Sequence, residues 1–166
     1  MSLCLRRKSV RKFLDSKVSD DMIERLMMSA MQAPSARNQQ PWRFIVIKNP
    51  ELLEKLGGIS KGAWPLKEAP LGILTMIDLP EGGREAMCPQ DLAASTQNIL
   101  LEATHQGLGA VWIGVYPLED RMEKVKEIVG LDKDDQPFSL VAVGFPESKN
   151  QHVTYRYDPA RVQVIE

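Results

Sequence analysis

Three features of this 166-residue sequence predict a single domain that mixes helices with buried strands. First, residues 91 to about 106 carry Leu92, Ile99, Leu100 and Ala103 at helical spacing, with Ala93, Ala94 and Leu101 widening the apolar face. Charge is confined there to Asp91 and Glu102, so the helix is expected to be packed on nearly every side, a partner subunit included. Asp91 falls in the first turn, where the helix dipole favours an anion. Second, Gly107 supplies a left-handed stop, and after Gly109 the run 110–115 reads as a buried strand. Third, the apolar runs 69–77 and 140–145 read as further strands.

The remaining elements follow in order. Residues 6–13, RRKSVRKF, are read as extended, which sets Arg7, Ser9 and Arg11 on one side. Two guanidiniums flanking a hydroxyl form a compact anion cradle, because forked donors match phosphate oxygens. A solvated basic surface and a nucleic-acid contact are the competing readings; no basic or aromatic-rich continuation supports the second. Ser19 is placed as an N-cap, with Asp20 and Asp21 in the first turn and Met22, Ile23, Leu26, Met27 and Ala30 on the buried face. Pro34 ends that helix near Ala33.

Residues 33–42, APSARNQQPW, form a loop of amides and hydroxyls between prolines. It suits a neutral heterocycle with several donors and acceptors, or serves as an ordinary polar connection, as most such loops do. Residues 43–47 are a strand, 49–56 a short helix and 57–66 a loop. Residues 79–89 form another loop, loosened by Gly82 and Gly83. Residues 118–129 are amphipathic, with Leu118, Met122, Val125 and Val129 inward. The tail from about 146 to 166 is polar, and Val162 and Val164 alternate as in an edge strand over 162–165. Lacking a core of its own, it must lie on something.

Composition excludes several functions. A net charge of −1 gives no reason to expect a nucleic-acid or anionic-membrane partner. No apolar run approaches the roughly 18 residues that span a bilayer. Cys4 and Cys88 are far apart and form neither a zinc pattern nor a redox pair, which fits a cytoplasmic setting, and the basic N-terminus is no secretory signal. His105 and His152 have no partners at ligand spacing, so no metal site is expected. Nucleophile-elbow, zinc-protease, P-loop and Rossmann motifs are missing. What remains is an anion cradle, a polar loop, a late arginine and the end of a WIG strand. This set suits a bound cofactor that carries the chemistry itself.

On these residues the sequence resembles the nitroreductase family. The resemblance is carried, in order, by RRKSVRKF, APSARNQQPW, NILLEATHQGLGAVWIG and RYDPARV, and covers nearly the entire chain. It implies an α+β fold in which helices flank an antiparallel-dominated central sheet. It further implies an intertwined homodimer with FMN at the interface and the tail wrapping the partner subunit. By position, Arg7, Lys8 and Ser9 would be cofactor-binding, with Arg7 and Ser9 at the phosphate and ribityl chain and Arg11 beside flavin N1 and O2. Pro34, Ser35, Ala36, Asn38 and Gln40 would reach the flavin of the other subunit. Ile113 and Gly114 would line the ring, and Arg156 would join Arg7 at the phosphate.

The activity so implied is ping-pong transfer from NADH or NADPH to a nitroaromatic, quinone or similar small-molecule acceptor, with no side-chain acid or base. A flavin carrier or sensor, and a dehalogenating or flavin-modifying relative, are the alternatives. Loop 79–89 departs from the pattern. It is too short for the extra helical excursion that covers the flavin in many members, and it leaves the roof of the substrate pocket undefined.

Overall fold

The computed structural model describes residues 2–148 and 155–166. His152, assigned above to the polar tail, lies outside the described residues. The helices are α1 (Leu3–Arg6), α2 (Asp20–Met31), α3 (Pro50–Leu56), α4 (Pro65–Glu68), α5 (Cys88–His105) and α6 (Glu119–Val129). The strands are β1 (Trp42–Ile47), β2 (Leu71–Ile77), β3 (Gly109–Gly114) and β4 (Gln136–Gly144). They form one sheet in the order β1-β2-β4-β3, with every neighbouring pair antiparallel. The fold is therefore the helix-flanked antiparallel α+β arrangement expected.

β2 and β4 occupy the middle of the sheet, and nearly every residue in them is buried. Alternation along the strands divides their side chains between two faces. Leu74, Met76, Leu140 and Ala142 pack with Leu53 and Leu56 of α3, Leu66 of α4 and Val125 of α6. Leu71, Ile73, Val141 and Val143 pack on the opposite side with Leu26 and Ala30 of α2 and Ile99 and Ala103 of α5. The register shifts between Thr75 and Met76, where a β-bulge interrupts the β2–β4 ladder. Beside it, Thr75 and Ser139 share a hydroxyl hydrogen bond of 2.8 Å, and Thr96 of α5 lies 3.1 Å from the same Ser139 oxygen. Buried hydroxyls there satisfy one another.

Local chemistry sets the helix ends. Ser19 Oγ accepts from the Met22 N–H, as its N-cap role predicts. Asn49 caps α3 by accepting from the Glu51 and Leu52 amides at 2.9 and 3.2 Å. Gly107 has φ +76°, and the Leu108 N–H folds back to the Ala103 carbonyl at 2.8 Å, ending α5. α5 starts three residues before the predicted Asp91, because Pro89 is well suited to the first turn of a helix. Between α2 and α5, Asn98 donates to the Ser29 carbonyl at 2.9 Å and Ser29 Oγ donates to Glu102 at 3.2 Å.

Four expectations need correction. Arg6 ends the short helix α1, so the extended segment begins at Arg7. The expected loop 57–66 runs into α4, whose Pro65 and Leu66 are buried. Leu118 is 43% exposed, because it stands just before α6, while Val125 supplies the buried contact. Residues 162–165 form no strand and are exposed, since no sheet edge of their own chain pairs with them.

Gly109 opens β3 where the N-terminal segment crosses it. A Cβ at this position would stand 2.6–2.9 Å from the Cβ and both Cγ atoms of Val10. Gly109→Ala is expected to destabilise the fold by about 1–3 kcal/mol through this overlap. A lower midpoint in urea unfolding, with unchanged slope, is the measurement that checks it.

Candidate functional site

The N-terminal segment lies on the outer edge of β3. The Arg7 N–H closes α1 on the Leu3 carbonyl at 2.8 Å, and the backbone then runs extended. Ser9 bridges Ala110 in parallel, and the Val10 N–H donates to the Ala110 carbonyl at 2.9 Å. Arg7 and Lys8 are half-buried, whereas Ser9 and Arg11 are exposed. Two arginines and a hydroxyl are thus held on the sheet edge by backbone pairing.

Strand alternation means that the backbone groups of Trp112 and Gly114, like those of Ala110, face away from β4. Gly114 confirms this, because its carbonyl accepts from the Arg121 guanidinium of α6 at 2.9 Å. A Cβ at Gly114 would meet nothing within 4 Å, so the end of β3 borders open space. Ile113 is different: its side chain is buried in the core with Leu140 and Val111.

The loop at 34–40 lies across the molecule. Arg37, Asn38 and Gln40 have φ of 52°, 55° and 46°, a region that residues with a Cβ seldom enter. Inside the loop, the Gln40 amide donates to Ser35 Oγ and Gln40 Nε2 donates to Asn38 Oδ1, both at 3.0 Å. Asp91 of α5 holds it from below, with the Ala36 N–H on Oδ1 at 3.0 Å and Gln39 Nε2 on Oδ2 at 2.8 Å. Gln39 Oε1 in turn accepts from the Arg84 N–H at 2.8 Å, and Nε2 also reaches the Arg84 carbonyl at 3.3 Å. Pro34, Asn38 and Gln40 remain exposed, and Ser35 and Ala36 are half-buried.

These two groups of residues are not brought together within one chain. The N-terminal segment meets the start of β3 at Ala110 and continues to Pro146 beyond β4, while the 34–40 loop leads into β1. β1 and β3 are opposite edges of the sheet, three strand spacings apart, or roughly 14 Å. Arg156 is exposed in the tail. Sequence reading missed Gln39, Arg84 and Arg121, and took Asp91 only as a dipole charge. The one available signal was an acidic residue at the start of an otherwise apolar helix.

Chemically, the β3 edge offers cations and a hydroxyl beside backbone amides and open space. Among the described residues there is no His, Cys, Asp and Glu cluster that could hold a metal, and no helix is long and apolar enough to cross a membrane.

Comparison with known proteins gives concordant results. The model of the Nitroreductase family matches residues 5–79 and 66–145. A protein of Methanothermobacter thermautotrophicus, provisionally named NADH dehydrogenase/NAD(P)H nitroreductase, is 37% identical over 158 residues, covering 95% of this chain and 82% of the relative. A crystal structure from Clostridium acetobutylicum, provisionally named an NADH oxidase, superposes with a TM-score of 0.93 at 42% identity and covers 99% of both chains. A provisionally named nitroreductase from Desulfovibrio desulfuricans, solved in complex with FMN, gives a TM-score of 0.82 at 26% identity over 99% of this chain and 94% of that one.

Cys88 sits under the Gln39–Asp91 contact, and burial, helped by Asp91 and Glu85, pushes its thiol up from the ordinary value of 9.0. The thiolate is the reactive species, so native Cys88 should alkylate at least about tenfold more slowly at pH 8 than in urea. Mass spectrometry of iodoacetamide-treated protein checks this; equal rates in both conditions would contradict the burial.

Proposed function

The chain belongs to the nitroreductase family, and on that premise we propose that it is a homodimeric, FMN-dependent oxidoreductase using NADH or NADPH. One observation carries this reading. The cation-bearing segment and the polar loop lie on opposite edges of one sheet, so a second copy is needed to set both against one ligand. The names of its relatives, and the FMN complex of one of them, agree with it.

The residues present fit the cofactor. An elongated molecule with a phosphate at one end and a flat heterocycle at the other matches two arginines and a hydroxyl near Ala110 and, at the far end of the same strand, room at Gly114. Arg7 and Ser9, with Lys8 adjacent, would hold the phosphate and ribityl end. Arg11 would stand by the pyrimidine side, where a cation favours added electron density. Gly114 would offer its outward N–H to the ring, and the Arg121 bond keeps that strand end in place. Ile113 would back the ring from within the strand. Pro34, Ser35, Ala36, Asn38 and Gln40 of the second copy would close the opposite side, and Arg156 would reach the phosphate from a tail wrapped round the partner.

When bound, FMN would supply the redox chemistry, a ping-pong transfer from NADH or NADPH to a nitroaromatic, quinone or similar acceptor. No side chain is asked to act as acid or base, and solvent supplies the protons. On this reading the whole 166-residue chain acts as one FMN-binding domain in the cytoplasm.

The protein should purify yellow, release FMN on heating, and sediment at roughly twice 18.6 kDa. Recovery of FAD alone, or a stable flavin-loaded monomer, would overturn the assignment. The arginines separate by variant. Arg7→Ala should weaken FMN binding roughly ten- to a hundredfold, as loss of a charge-assisted phosphate contact does. Arg11→Ala should also weaken binding, but its particular signature is a lower flavin redox potential, and Arg11→Lys should retain much of the wild-type value because the charge survives. Potentiometry of the flavin-saturated variants at one pH checks this; a shift with Arg7→Ala alone would reverse the two roles.

A further inference from the structure

The 35–40 loop holds an uncommon backbone, closed on itself by hydrogen bonds among Ser35, Ala36, Asn38, Gln39 and Gln40. Arg37, Asn38 and Gln40 all have positive φ. Among the described hydrogen bonds, every one that leaves this loop for a distant part of the chain ends on Arg84, Cys88 or Asp91. Asp91 is 5% exposed and fixed in the first turn of α5, so its carboxylate is a rigid platform. Both of its oxygens are engaged by donors from the loop, one from the Ala36 backbone and one from the Gln39 amide. The Gln39 amide is oriented on its other side by Arg84, whose N–H it accepts and whose carbonyl it reaches. Asn38 and Gln40, next to Gln39 in the chain, are thereby turned outward and joined to each other.

We propose that Asp91 and Gln39 are positioning residues: their contact locks the 35–40 loop in the conformation that presents Asn38 and Gln40 to a cofactor held by a second copy of the chain. The inference rests on the FMN reading given above, but the lock itself does not depend on it. The chemistry requires a carboxylate at 91. An isosteric amide has one acceptor, so either the Ala36 N–H or Gln39 Nε2 would face another donor. The chemistry equally requires an amide at 39, since a carboxylate there would oppose Asp91. Exchanging the two polarities together restores a donor–acceptor pair between the side chains and leaves the Arg84 N–H an oxygen to bind.

The test compares wild type, Asp91→Asn, Gln39→Glu, Gln39→Leu and the Asp91→Asn/Gln39→Glu double variant by two readouts. One is the rate of tryptic cleavage after Arg37 in the full chain stripped of flavin. The other is the FMN dissociation constant from fluorescence titration, below the unfolding temperature of each variant. Each single variant should be cut faster and bind FMN more weakly, both by roughly tenfold, the size expected for one hydrogen bond to a charged group. The double variant should recover part of both losses, which general destabilisation would not give. If Asp91→Asn does not fold, Gln39→Leu, which removes the same contact from the half-buried side, carries the test. Unchanged cleavage in the single variants, or losses that simply accumulate in the double, overturns the lock. Faster cleavage with unchanged FMN affinity overturns the positioning role. A wild-type chain that takes up no FMN overturns the cofactor reading, and the lock is then decided by cleavage alone.

Discussion

β2 and β4 are covered on both faces, and each is flanked by strands on both sides. Their backbone amides are committed to the ladder and their side chains to two cores, so neither strand can present anything to a ligand. Everything available for recognition is therefore displaced to β1, β3 and the loops at their ends. The N-terminal segment takes up part of the β3 edge at Ala110, and Arg121 steadies its end at Gly114. The polar loop stands at the entry to β1, on the far side. Separation of the two sets of recognition groups is thus a direct result of burying the middle of a four-stranded sheet.

How much was legible follows from where each signal resides. α5 and β3 could be read because low charge, a glycine stop and a β-branched run are local properties. β2 was legible for a related reason: a strand buried on both faces is apolar throughout. The first half of β4 was not, because Gln136, Pro137 and Ser139 interrupt the pattern, and only pairing with β2 and β3 makes them strand. α1 and α4 are four residues each, too short to be specified without their surroundings. At 162–165 the alternation was real but lacked an edge within its own chain. The recognition groups were legible as residue types. Gln39 and Asp91 were not, since their meaning lies in contacts spanning 52 and 55 positions.

Positive φ at three residues in a row of four is a conformation that local preference opposes. Such geometry persists when the surroundings over-determine it. Here that role falls to a buried carboxylate at the start of the central helix and to a glutamine that imitates a strand neighbour by pairing with both backbone groups of Arg84. α5 accordingly does two jobs, packing the sheet through Leu92, Ile99 and Ala103 and anchoring the loop through Asp91.

Because Gln39 grasps Arg84 by its main chain, the grip is indifferent to which side chain stands at position 84. Its neighbours Glu81, Glu85 and Ala86 are likewise exposed. Replacement at these exposed positions, proline excepted, leaves the grip intact, so natural variation can rewrite that outer face around a fixed Gly82, whose φ of +73° favours glycine.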